Sequence, residues 1–204
     1  MMAKGLLEGY ICYLAGPIDE AKDDGVGWRK DFKELVHKKK ASLLFLDPTV
    51  KFKGLTSEVG KEKENQQLLR EQGDWKGLRK MFRKIVRADL RMVDIADILI
   101  AKVDKNIHMC GTYNEIVIAD IEKKPILLII EGGKKHCPSW LFGIVHHKFM
   151  FDSLEECADY IRKVNEKKVK IDDKWVFLRK GIKQLEAAND AIFRRRKNAG
   201  KAGI

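Results

Sequence analysis

Two carboxylates carry the most suggestive chemistry in the sequence: Glu115, in the stretch MCGTYNEIVIAD, and Asp89, in ADLRMVDIAD. A carboxylate in the first turn of a helix sits near the helix's positive end, which favours its ionised form. An ionised, partly dry carboxylate is a competent nucleophile toward an anomeric carbon. Cleaving a glycosidic bond also calls for a proton donor beside the departing group. Glu115 and Asp89 can fill those two roles. A purely structural reading of the same residues stands beside this one. Thr112 can be the N-cap of its helix and Glu115 the third residue after it, a capping box that needs no catalysis. Asp89 reaches a site only if its helix leans over the core. Asp94 reads as a solvated helix carboxylate and Asp97 as a turn residue at the start of a strand.

The elements that must position these groups follow from the apolar pattern. Residues 10–15, YICYLA, read as a buried strand closed by Gly16-Pro17. Trp28, Phe32, Leu35 and Val36 fall at helical spacing. Residues 42–46 read as a second buried strand, stopped by Asp47-Pro48. Residues 50–78 are polar and punctuated by Gly54, Gly60, Gly73 and Gly77, so they read as a long irregular segment. Helices are expected over 79–95, 112–122 and 153–164, the last with Ser153 and Glu156 as a capping box. Strands are expected over 97–103, 125–131 and 148–151. This alternation predicts an α/β fold, flavodoxin-like or Rossmann-like, with a parallel sheet of about five strands and helices on both faces. Residues 1–164 would form that domain. Residues 165–204 would form an extension, a small hairpin around Asp172-Asp173 and a basic helix over roughly 179–197.

In such sheets the binding crevice lies at the carboxyl ends of the strands. The segments there are Gly16-Pro17-Ile18-Asp19, Asp47-Pro48, 104–111 and Gly132-Gly133. Gly16 lets backbone approach a ligand, although a plain strand-ending turn explains it equally. The second and third glycines of a dinucleotide fingerprint are missing, and no cofactor is expected. Trp28 and Trp140 can stack on a base, but helical spacing favours a core position for Trp28. Cys12, Cys110, Cys137 and Cys157 form no CxxC pair, so reduced thiols in a cytoplasmic protein are expected. His136-Cys137 and His146-His147 do not match zinc spacing, and no metal is expected. No apolar run approaches the ~20 residues of a membrane span.

The net charge of +11 points to an anionic partner, nucleic acid or nucleotide phosphate. The cations concentrate in 33–40, 163–174 and 194–197. The basic C-terminus keeps nucleic acid open as a partner, but no aromatic residues interleave its arginines, which argues against a stacking platform there. The loop DEAKDDG is acidic with one lysine, which favours a nucleoside over a nucleotide. Lys22 and Arg29 are the nearby cations, and both read as surface residues.

The stretches Tyr13-Leu14-Ala15-Gly16-Pro17-Ile18, ADLRMVDIADILIAKVD and GTYNEIVIADIEKKPILLI fall in this order within roughly residues 10–131. Together they resemble the nucleoside 2-deoxyribosyltransferase family and the related 2'-deoxynucleoside 5'-monophosphate N-hydrolases. The resemblance implies that Glu115 attacks C1' to form a glycosyl-enzyme, that Asp89 assists the leaving base, and that Tyr13 orients the glutamate. It places Gly16, Pro17, Ile18 and Asp19 near sugar and base, and Gly111, Thr112 and Asn114 around the sugar pocket. It also implies a homo-oligomer in which a neighbouring subunit completes the site. The partners would be a deoxynucleoside or deoxynucleotide and a free base. Attack on the intermediate by a second base makes a transferase, and attack by water makes a hydrolase. Residues 50–78 and those beyond about 165 fall outside the family's core. Two rivals remain at this stage: a non-catalytic nucleotide- or nucleic-acid-binding protein, and a glycohydrolase acting on nucleotide sugars or NAD.

Overall fold

A computed structural model describes residues 5–50 and 59–169. Five apolar runs become strands: β1 (Ile11–Ala15), β2 (Leu44–Leu46), β3 (Ile98–Val103), β4 (Ile126–Ile130) and β5 (Met150–Phe151). They pair in parallel in the order β2-β1-β3-β4-β5. β1, β3 and β4 are almost wholly apolar because both faces of the sheet are covered. β2 departs from expectation. It is a three-residue edge strand with Leu44 58% exposed, not a buried one. Edge strands are covered on fewer sides, so an apolar run alone does not tell them from central ones.

The helices are α1 (Val26–Lys38), α2 (Lys61–Glu71), α3 (Trp75–Ile95), α4 (Cys110–Ile121) and α5 (Leu154–Asn165). α1 and α5 touch each other, and α3 and α4 form a second layer against β1, β3 and β4. Tyr13, Ala15, Leu99, Ala101, Leu128 and Ile130 join Val93 of α3 and Ile116 and Ala119 of α4 in one core cluster. The two-residue period of a strand sends Cys12, Leu14, Ile100 and Leu127 to the opposite face. The registry sets Tyr13 beside Leu46 on one side and Leu99 on the other.

Much of the segment 50–78, read from sequence as irregular, is helical. α2 escapes the apolar pattern because Gln66 is its one buried residue. Gly60 and Gly73 do mark turns, both with positive φ. Gly77, by contrast, lies inside the first turn of α3, and its N–H donates to the N-cap Asp74 at 2.8 Å. α5 begins as expected: Ser153 Oγ accepts from the Glu156 N–H at 3.1 Å, and Glu156 Oε2 accepts from the Asp152 N–H at 3.0 Å. Asn165, at its end, accepts from the Leu7 N–H at 3.0 Å and ties down the chain ahead of β1. The expected hairpin and basic helix after 169 lie outside the described residues. Among the described residues no helix is long and apolar enough to cross a membrane.

Candidate active site

β1 and β3 lie side by side, yet the chain leaves them toward opposite edges of the sheet. That arrangement opens a crevice at their carboxyl ends. A cavity of about 530 Å³ fills it. Residues 16–20 after β1 and 108–112 at the head of α4 line it. α3 adds Phe82, Ile85, Val86, Asp89 and Leu90, α4 adds Asn114, Glu115 and Ile118, and Tyr13 and Pro48 complete the wall. The volume falls within the ~300–1,000 Å³ usual for small-molecule sites.

The buried row of α4 is Thr112, Glu115, Ile116 and Ala119. A glutamate on such a row takes a place that packing would give to an apolar side chain. The helix starts at Cys110 after the N-cap Met109, which makes Glu115 its sixth residue. No side chain caps this helix. The capping-box reading of Thr112 and Glu115 is therefore overturned, and with it the first-turn position, since helix-end electrostatics fade beyond one turn. What holds Glu115 is Tyr13, whose phenol donates to Glu115 Oε1 at 2.7 Å within the core. Burial, then the negative charges of Glu115 and Asp89, push the Tyr13 phenol well above its ordinary value of 10.0. It stays protonated and remains a donor.

α3 repeats the pattern. Its buried residues are Met81, Ile85, Asp89 and Val93, each four beyond the last. Asp89 is 8% exposed, as is Glu115. Burying a carboxylate is costly unless neighbours support it, so two in one cavity make it the candidate functional site. α3 packs against both β1 and α4, which is the lean that brings Asp89 over the sheet.

The loop between β1 and α1 is held by Arg29, which is fully buried. Its guanidinium donates to the carbonyls of Leu14 at 3.1 Å, Gly16 at 2.9 Å and Gly25 at 2.7 Å. Asp47 lies 3.7 Å away and also accepts from Lys33 at 2.7 Å. The sequence reading of Arg29 as a surface cation was wrong. Its position three before Phe32 and seven before Val36, on the inward face of α1, was the available signal. Trp28 is also corrected. Its indole packs behind Gly16, where a Cβ would come within 2.8 Å of it, and it does not line the cavity. Gly25 adopts φ 68°, and a Cβ there would meet the Pro17 carbonyl at 2.2 Å.

Glu115, Asp89, Tyr13, Gly16, Pro17, Ile18, Asp19, Gly111, Thr112 and Asn114 are thus brought to one cavity, and Trp28 is not. Several wall residues had no sequence signal as site residues. Phe82, Val86 and Leu90 form an apolar wall, and His108 reaches the rim, where its N–H donates to Glu20 Oε2 at 3.4 Å. Gln66 of α2 donates through Nε2 to Asp19 at 3.2 Å. Among the described residues the lining holds four carboxylates, Asp19, Glu20, Asp89 and Glu115, and no lysine or arginine. Among the same residues no cluster of three or more His, Cys, Asp or Glu side chains could hold a metal ion. The four cysteines are free thiols, and Cys110 is the one exposed, at the cavity.

No protein-family model matches the chain, and no curated protein matches it. Solved structures are similar to it, among them the following two. One is a 2-deoxyribosyltransferase from the psychrotolerant bacterium Bacillus psychrosaccharolyticus, 18% identical, with a TM-score of 0.49 over 74% of this chain and 91% of that one. The other is a conserved protein from Enterococcus faecalis V583, 15% identical, with a TM-score of 0.51 over 78% of this chain and 98% of that one. The second likeness shows that the parallel α/β fold described above is one found in solved structures.

Proposed function

We propose that the protein cleaves the N-glycosidic bond of 2'-deoxynucleosides and transfers the sugar to another base, as a nucleoside 2-deoxyribosyltransferase does. The observation that carries this reading is the Tyr13–Glu115 hydrogen bond of 2.7 Å at the floor of a cavity that also holds Asp89. With one oxygen fixed by the phenol, the Glu115 carboxylate presents an oriented nucleophile. Its attack at C1' forms a C–O bond to the sugar as the C–N bond breaks. The bond's electron pair leaves with the base, which takes up a proton through Asp89. A second base attacking C1' then releases Glu115. The apolar wall of Phe82, Val86 and Leu90 offers a base a surface to pack on.

The hydrolysis of a 5'-monophosphate is the second reading. The charge of the lining weighs against it, since a phosphate would enter a cavity with four carboxylates and no described lysine or arginine. Glu115→Ala is expected to abolish release of free base from deoxyadenosine and deoxycytidine while the circular dichroism spectrum stays unchanged. Incubation with nucleosides and their 5'-phosphates, with and without an acceptor base, and separation by chromatography reads substrate and fate together. Undiminished turnover by the alanine variant would remove Glu115 from the mechanism.

A further inference from the structure

The outward face of α3 bears a charge pattern found on no other described helix. Lys76, Arg79, Lys80, Arg83, Lys84, Arg87 and Arg91 are all exposed. Successive residues four apart form a ridge along a helix, so these cations fall into two rows. One row is Arg79, Arg83, Arg87 and Arg91, and the other is Lys76, Lys80 and Lys84. At 1.5 Å per residue the arginine row runs about 18 Å. Trp75, 65% exposed, stands four residues before Arg79 and heads the same row. Among the described residues only Arg91 of these cations has an ion-pair partner, Asp94. Of the other described helices, α1, α2 and α5 mix signs and α4 carries only the acidic Glu115 and Asp120. α1 sets Asp31 and Glu34 among its lysines, α2 alternates Lys61, Glu62, Lys63 and Glu64, and α5 pairs Arg162 with Asp159 and Glu166. Mixed signs suffice for solubility, so a face of one sign calls for a ligand of the other.

We propose that this face of α3 binds single-stranded nucleic acid, with phosphates along the arginine and lysine rows and a base stacked on Trp75. Arginines suit phosphate oxygens because the guanidinium can donate two parallel hydrogen bonds. An aromatic side chain beside a basic track is the recurring means of holding an unpaired base. A membrane surface fits less well. A helix that lies in a bilayer must insert an apolar face, and that of α3 is committed to the core through Met81, Ile85 and Val93. The proposal is independent of the chemistry at Glu115, because the rows face away from the buried residues of the same helix.

The test uses the full chain and a fluorescent 20-nucleotide deoxythymidine strand, read by anisotropy across a salt series. With about four phosphates engaged, log K is expected to fall with log salt at a slope of about −3. Replacing Arg79, Arg83 and Arg87 with Gln should weaken binding more than about tenfold and flatten the slope by about 2. Trp75→Ala should weaken it by about tenfold without changing the slope, because stacking releases no counterions. A control with Lys30, Lys38 and Lys61 changed to Gln removes the same charge elsewhere and should bind as the parent does. Gln is a good helix former and these positions are exposed, so circular dichroism should be unchanged in each variant. Equal losses in the control and the arginine variant would overturn the proposal, as would undiminished binding by the α3 variants. Binding to phosphatidylserine vesicles with none to the oligonucleotide would assign the face to membranes instead.

Discussion

Tyr13, Glu115 and Asp89 each occupy a position that packing would fill with an apolar side chain. Their polar atoms converge on one cavity rather than on one another's helix ends. Tyr13→Phe tests how much that convergence contributes. The ring still fills its place in the core, so the fold should be kept and the loss confined to the hydrogen bond itself. Glu115 loses the donor that orients it, at about 1.5–3 kcal/mol for a hydrogen bond to a charged group. If that loss falls in the transition state, kcat drops about 10- to 100-fold with KM little changed. Steady-state kinetics on deoxyadenosine checks this, and a change confined to KM would assign the phenol to binding alone. The motifs made these residues legible, but not their geometry. From the string GTYNE a capping box and a catalytic glutamate look alike. The start of the helix at Cys110 removes the capping box, and no local signal marks that start, because Met109 caps with backbone only.

α1 and α3 show where reading elements from sequence works and where it stops. The apolar rows of both helices were legible, since Phe32 and Val36, or Met81, Ile85 and Val93, recur at helical spacing. α2 was not, because a helix that buries only Gln66 has no apolar period. Missing α2 also detached Trp75 and Lys76 from α3, and so hid the Trp-headed cation row. Arg29 was overlooked for the opposite reason: charge suggested solvent, while its helical phase with Phe32 pointed inward. Arg29→Met leaves three carbonyls of the β1–α1 loop without their donor. It should cost about 3 kcal/mol or more in urea unfolding, and loosen the cavity wall built from residues 16–20. A variant as stable as the parent would show that the loop is anchored elsewhere.

Across the whole molecule, the α/β alternation made the sheet legible, but the sequence did not show which strands lie at its edges. β2, read as buried, is an edge strand, and at its end Asp47 joins that edge to the site. Burial opposes ionisation of Asp47. Hydrogen bonds from Lys33 and Thr49 outweigh it and hold the carboxyl below the usual carboxylate range. A carboxyl with a lowered folded-state pKa adds stability above its unfolded value of about 3.9, and that stability is lost as pH falls through the folded value. Thermal unfolding followed from pH 6 down to pH 3 should therefore show the parent losing stability at the acid end. Asp47→Asn should start less stable at pH 6 and lose less on acidification. Parallel curves for the two proteins would mean that Asp47 carries none of the acid sensitivity.

The guanidinium of Arg29 grips its loop through peptide oxygens, and every residue type supplies one. The exposed side chains at 19, 20 and 22 can therefore be exchanged while the anchor persists, provided that Gly16 and Gly25, the buried Ile18 and Ala21, and the turn residues Asp23 and Asp24 are kept. Diversification of what enters the crevice is open to this scaffold without redesign of its foundation, and a library randomised over 19, 20 and 22 should yield mostly folded proteins.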